Sequence, residues 1–245
     1  MGFLTFLFTL LLYVSVVIFI GGLGYRIATY AKTPAPLKIP TMPAPLTQGG
    51  VRIRMLKEVV LFHSLFRSNK IIWLFGWLFH LGLFVVLFRH LRYATEPVWE
   101  IVAVMQPIGV YMGFAMLAGL LGLWARRIFV ERIRYITNPS DHLMLGLIVL
   151  IAVTGLMMKY VSHTDIVQVK AFALGILYFD WQPLPTDFFF MLHLLLVAAL
   201  MIVFPFSKLL HAPGVFFSPT RNQVDDSREK RHIAPWAAEL DDKRQ

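Results

Sequence analysis

The chain has 245 residues, 58% of them hydrophobic and 15% charged, a balance too apolar for a water-soluble domain of this length. Its net charge of +9 falls in membrane-edge loops, as shown below, and is not read as a nucleic-acid footprint. It has no cysteine, which excludes a thiolate-held iron–sulfur cluster, a thioether-linked haem, a thiolate nucleophile and a disulfide. Any redox group must rest on histidine or methionine or be bound non-covalently, and the far donor or acceptor of any electrons must sit on another molecule.

In chain order, the first apolar stretch covers residues 3–25, within MGFLTFLFTLLLYVSVVIFIGGLGYR. No positive charge precedes it, it is longer than a signal-peptide core and no A-x-A site follows, so it reads as a retained transmembrane helix. The connection 26–70 carries Arg26, Lys32, Lys38, Arg52, Arg54, Lys57, Arg67 and Lys70 against one acid, Glu58. It opens with the proline-rich TPAPLKIPTMPAPL, which predicts extended chain. It continues as VRIRMLKEVVLFHSLFRSNK, which predicts an interfacial helix on the inner leaflet, a surface that a partner subunit can also use. The second span is 71–91 and the third 101–125, joined by a segment with Arg89 and Arg92 against Glu96 and Glu100. Residues 126–134 then hold Arg126, Arg127, Arg132 and Arg134 against Glu131. The fourth span is 143–162. The piece 166–179 is too short to cross and reads as an outer interfacial or re-entrant segment. The fifth span is 187–210, and 212–245 reads as a polar tail, loose alone or ordered on a partner. Each span is near the ~20 residues that a crossing helix needs. The excess of Lys and Arg places the first and third connections and the C-terminus in the cytoplasm, with the N-terminus outside.

Two spans carry histidines in pairs. The fifth has His193 and, just past its end, His211, five full turns and ~27 Å apart on one face of a straight helix. The second has His80 and His90, ten residues, ~15 Å and ~80° apart. A tilt and a kink at Pro205 must absorb the mismatch. Ionisable side chains inside apolar spans point to function. Two histidines at each of two depths can hold two haems by bis-histidine ligation, with no open iron position, which suits electron transfer. The topology pairs His90 with His193 at an outer haem and His80 with His211 at an inner one. His63, His142, His163 and His232 read as solvated or interfacial. Arg89, Arg92, Arg126 and Arg127 stand where haem propionates would emerge, and they equally suit the role of topology-setting cations. Gly76, Gly82, Gly113, Gly119 and Gly122 read chiefly as helix-packing positions.

The stretches WLFHLGLFVVLFRH and HLLLVAALMIVFPFSKLLH, with ten- and eighteen-residue histidine spacings, make most of residues 1–211 similar to the respiratory nitrate reductase gamma subunit family of five-helix di-haem cytochromes b. FHSLFRSNKIIWLFGWLFHLGLFVV resembles the branch that serves heterodisulfide-reductase-like complexes, including the sulfite-reduction-associated Dsr complex. The resemblance implies two haem b groups, quinol or quinone bound near the outer haem, and electron passage between the haems. It also implies a cytoplasmic iron–sulfur subunit resembling the catalytic part of heterodisulfide reductase, with room for further membrane or periplasmic redox subunits. Nitrate reductase relatives use a lysine at the quinol site, after span two or early in span three. Here none occurs between His90 and Arg126, which leaves Arg92, Tyr93, Glu96, Glu100 and Gln106 as the polar groups of that end.

The expectation is therefore an all-α integral membrane protein of the bacterial cytoplasmic (inner) membrane. Residues 1–211 form a five-helix transmembrane bundle with an interfacial loop at 26–70, and 212–245 form a cytoplasmic tail. Its expected role, as one subunit of a complex and with no catalytic residue of its own, is electron transfer between the (mena)quinone pool and a cytoplasmic iron–sulfur partner in sulfur metabolism. The alternatives are a nitrate reductase-type gamma subunit, a haem-free anchor, and a proton-coupled transporter using His80 and His193 as a relay. A transporter calls for broken helices or a polar path, yet spans one, three and four are nearly free of polar side chains. An anchor has no use for four histidines at matched depths.

Overall fold

The computed structural model describes residues 2–34 and 39–226, and these are helical with no strand. The helices are α1 (Phe3–Lys32), α2 (Gln48–Leu61), α3 (His63–Ser68), α4 (Lys70–His90), α5 (Glu100–Val104), α6 (Gln106–Phe129), α7 (Glu131–Ile136), α8 (Pro139–Tyr160), α9 (Ile166–Tyr178), α10 (Phe188–Val203) and α11 (His211–Gly214). Five are long and apolar enough to cross a membrane: α1, α4 with its 3-10 extension to Tyr93, α6, α8, and α10 with its 3-10 extension to Phe206. The 13-residue α9 measures about 20 Å, too short for a hydrocarbon core of ~30 Å.

Several ends differ from the sequence expectation: α1 continues past 25 to Lys32 and α6 past 125 to Phe129, and three further ends have a local cause. The third span does not run unbroken from 101: α5 stops at Val104 and α6 starts at Gln106. Pro107 lacks the N–H that would bond back to Ala103, and it sits in the first turn of α6, where no such bond is needed. The fourth span starts at Pro139, earlier than 143. Asn138 caps it, and its N–H donates to the Asp141 carboxylate at 3.1 Å, completing a capping box. The fifth helix does not reach His211. α10 ends at Val203, a 3-10 turn covers Phe204–Phe206, Ser207 is extended, and a second 3-10 turn precedes α11. Pro205 ends the helix rather than kinking it, so His193 and His211 do not share one helical face.

The chain divides into two compact units: residues up to Ile20 with Leu65–Val203, and Gly21–Ser64 with the residues from Phe204 on. In the first unit α4 and α6 run antiparallel in backbone contact. A Cβ added at Gly82 would lie 2.8 Å from the Met112 carbonyl oxygen, and one at Gly119 would lie 2.7 Å from the Phe79 nitrogen. Lipid gives apolar helices no hydrophobic reason to associate, so close packing across small residues holds such a pair together. Phe172 of α9, Leu184 and Phe190 of α10 form a buried cluster, and Phe8 and Leu12 of α1 pack on it. Tyr13 ties α1 to this cluster: its hydroxyl donates to the Ile176 carbonyl at 2.8 Å and accepts from the Trp181 indole at 3.0 Å.

The second unit joins distant stretches of chain. Thr47 caps α2, and Phe62 ends it in the left-handed conformation at φ 50°. Glu58, with only 10% of its side chain exposed, pairs with Arg221 at 3.1 Å. It also receives the Ser64 hydroxyl and, at 3.1 Å, the Ser64 N–H. The Thr41 N–H donates to Thr220 at 2.8 Å, and the Asp225 N–H to Pro45 at 2.9 Å. The tail expected over 212–245 is described as far as Asp226. His232 and the rest of that tail, like Lys38 in the proline-rich piece, lie outside the described residues.

Gly119→Leu drives a side chain into α4 backbone that cannot move aside, lowering stability in detergent by about 1–3 kcal/mol or more. Gly76→Ala meets only Leu65 Cδ2 at 3.7 Å, so the unfolding midpoint stays level or rises, alanine favouring helix by ~1 kcal/mol. For Glu58, burial works to raise the pKa, but the Ser64 hydroxyl and N–H, then Arg221 and His63, outweigh it and hold the carboxyl below its ordinary value. Its stabilisation is therefore complete at neutral pH and is lost as pH falls below the ordinary carboxylate range through that depressed value. Hydrogen exchange over 218–226 should rise in that acid window, by about 1 kcal/mol or less of local stability after solvent screening, and Glu58→Gln should remove the pH dependence.

Candidate functional site

His90 closes α4, and His193 lies in the second turn of α10. Both belong to the first unit. Their ring centroids are 6.5 Å apart and their planes lie within 10° of parallel. Each ring has its Nδ1 engaged. His90 Nδ1 is 2.6 Å from the Val86 carbonyl oxygen, which can only accept, so the proton is on Nδ1. His193 Nδ1 is 2.9 Å from the Thr154 hydroxyl. That hydroxyl spends its own proton on the Leu150 and Ile151 carbonyls, at 2.8 and 3.1 Å, so it accepts from His193. Both rings thus carry the Nδ1–H tautomer, with the lone pair on Nε2, the arrangement of a metal-ready imidazole. α8 supplies both halves of the His193 seat: Thr154 orients the ring, and Gly155 beside it leaves the space, since a Cβ there would stand 3.5 Å from His193 Cε1.

His80, also in the first unit, donates from Nδ1 to the Gly76 carbonyl at 2.7 Å and packs edge-on to Phe79 with ring centres 4.6 Å apart. His211 belongs to the second unit. It opens α11, donates from Nδ1 to the Lys208 carbonyl at 3.0 Å, and lines a hollow of about 480 Å³ with Tyr30, Ser207, Lys208, Leu210 and Phe217. All four histidines singled out in the sequence therefore share one tautomer. Of the others, His63 opens α3, His142 accepts from the Trp124 indole at 3.0 Å, and His163 donates to the Val161 carbonyl at 3.2 Å.

Near His90, Gln106 gathers two of the predicted arginines. Its Oε1 accepts from Arg89 Nε and Arg92 Nη1, both at 3.0 Å. Its amide nitrogen donates to the Val102 carbonyl at 2.9 Å and the Arg89 carbonyl at 3.4 Å. Gln106 is thus fully engaged in protein contacts. The Tyr93 ring lies 6.0 Å from the His90 ring, with the Arg92 guanidinium 5.5 Å from its centre. Glu100 heads α5, and Arg126 and Arg127 lie in the last turn of α6. Glu96 meets a residue not anticipated from the sequence, Lys170 of α9, in an ion pair. The signal was a single cation in the apolar helix IVQVKAFALGILY, but the pairing is tertiary. Thr154 was also missed, a hydroxyl set among apolar residues of the fourth span.

The profile of the nitrate reductase gamma subunit family matches residues 63–226. The chain is 36% identical to the Hdr-like menaquinol oxidoreductase cytochrome b-like subunit of Archaeoglobus fulgidus, over 91% of this chain and 81% of that protein. It is 34% identical to the protein of the same name from Archaeoglobus profundus, over 94% and 82%. It is 31% identical to the respiratory nitrate reductase 1 gamma chain of Escherichia coli, over 55% of this chain and 68% of that one.

The His193 seat makes a graded prediction. Gly155→Ala should be neutral or stabilising, because the added methyl makes ordinary contact and alanine favours helix by ~1 kcal/mol. Gly155→Leu should push the ring from its place and cost about 1–3 kcal/mol in denaturant unfolding.

Proposed function

The chain belongs to the nitrate reductase gamma subunit family, and we propose that it is a cytochrome b subunit that takes electrons from menaquinol and passes them across the membrane to an iron–sulfur partner. The observation that carries this reading is the His90–His193 pair. Two imidazoles on opposite sides of one iron have centroids roughly 6 Å apart, about 2 Å from metal to each nitrogen and about 1 Å on to each ring centre. The observed 6.5 Å, the near-parallel planes and the two Nδ1–H tautomers fit that arrangement. His80 and His211, each with Nδ1 donated to a carbonyl, are the proposed ligands of a second haem b. Haem, when bound, would supply one-electron transfer, and these histidines are the residues that would hold it. Arg89, Arg92 and Arg126 are the proposed propionate contacts.

At the His90 end, Arg92, Tyr93 and Glu96 are the proposed quinol-binding groups. Gln106 acts there through the arginines, since its own hydrogen-bonding atoms are taken. The Glu96 carboxylate, 61% exposed, is held at that end by Lys170. The names of the two archaeal relatives support menaquinol as the reductant and a heterodisulfide-reductase-like assembly as the setting. Sulfur metabolism and a cytoplasmic iron–sulfur subunit are the corresponding proposals for this chain. The charge asymmetry of the loops supports the assignment of the His90 end to the outer face.

The test is a pyridine haemochrome assay with a dithionite-reduced spectrum on the full chain purified with haem supplied. Two b haems per chain are expected. His90→Ala and His193→Ala should each remove the same haem, and His80→Ala and His211→Ala the other. Thr154→Val should keep the fold and weaken retention of the first haem by about tenfold, the usual effect of losing a partner that orients a ligand. A well-folded chain without haem would overturn the reading.

A further inference from the structure

An opening in the first unit has none of the four histidines in its lining. It is a groove of about 850 Å³, in the roughly 300–1,000 Å³ range of ligand sites, lined by the end of α7, the α7–α8 turn, the first three turns of α8 and Trp124 of α6. Its two ends differ in chemistry. Arg134, Thr137 and His142 line one end, and Leu143, Leu147 and Leu150 line the rest.

The hydrogen bonds at the polar end show what it can offer a ligand. The Trp124 indole N–H donates to His142 Nδ1 at 3.0 Å, so the His142 proton is on Nε2 and remains a donor. The Thr137 hydroxyl gives its proton to the Ile133 carbonyl at 2.6 Å and accepts from Arg127 at 3.3 Å. Arg127 also pairs with the buried Asp141 at 3.5 Å. The charge of Arg127 is thereby answered within the protein, and Arg134 brings a second guanidinium to the groove. The polar end is therefore a donor site that suits an anion.

The apolar strip sets the length of the ligand. From Pro139 to Leu150 the helix rises about 16 Å, close to half of a ~30 Å hydrocarbon core. Leu143 and Leu150 are 73% and 51% exposed, so the strip opens sideways toward acyl chains. A cationic head at a span's edge with one leaflet's depth of apolar surface below it is the form of a basic lipid pocket between transmembrane helices. We infer that this groove binds one phospholipid with an anionic headgroup, its phosphate on Arg134 and His142 and an acyl chain along Leu143, Leu147 and Leu150.

The test uses the full chain, delipidated in mild detergent, with native mass spectrometry during titration of phosphatidylglycerol or phosphatidylcholine. Phosphatidylglycerol should bind about five- to tenfold more tightly, the effect of one well-placed arginine on an anionic head. Arg134→Gln should abolish that preference. Arg132→Gln, which removes the same charge from the same short helix outside the groove lining, should keep it. Circular dichroism checks that each variant is folded. Equal affinity for the two lipids, a preference that survives Arg134→Gln, or an equal loss in both variants would overturn the inference. So would a co-purifying quinone that phosphatidylglycerol fails to displace. None of these readouts depends on haem or quinol turnover.

Discussion

A ring N–H inside the bilayer has no water to bond and must find an acceptor in the protein, because an unsatisfied polar group there costs several kcal/mol. That constraint bears on His193 in the second turn of α10, and the same kind of bond holds His90 at the end of α4. Val86 offers its carbonyl one turn before His90, and Thr154 offers a hydroxyl whose own proton is already spent. Neither ring can turn over without stranding a donor, so both keep the proton on Nδ1 and the lone pair on Nε2. On α8 two neighbouring residues do opposite things for one ring: Thr154 attracts it and Gly155 withdraws to admit it.

The α4–α6 contact holds this geometry at one end of the span. Gly82 and Gly119 let the two backbones touch, and the same antiparallel approach brings Gln106 beside Arg89 and Arg92. One amide oxygen serving two guanidiniums is a tight use of a single side chain. It keeps two cations at the mouth of the span while one residue carries the geometry. Arg89 stands one residue from His90, so the packing of small residues deep in the pair and the placement of charge at its edge are parts of one constraint.

The five spans were legible because hydrophobic composition alone identifies them. Their ends were less so, because ends depend on backbone donors that hydropathy does not see: the missing N–H of Pro107 splits the third span, and Asn138 with Asp141 starts the fourth early. Chain direction led to the expectation that His90 and His193 pair, and the two rings lie 6.5 Å apart. The shared face expected for His193 and His211 fails, because it assumed a helix continuing through Pro205. Lys170 on Glu96 and Trp124 on His142 are contacts between elements that no local pattern encodes.

The second unit is stitched from stretches that lie far apart along the chain. Arg221 reaches Glu58 and Ser64, Thr41 meets Thr220, and Arg26 donates to the Pro205 carbonyl at 3.3 Å, the point where the fifth span loses its helix. A ribosome must therefore thread every intervening span before the residues around Glu58 gain their partners. Throughout synthesis the basic α2 segment exists without the strap that later closes over it, and contacts this remote form late and slowly. A nascent chain halted short of Arg221 would carry all five spans and still lack the closed second unit.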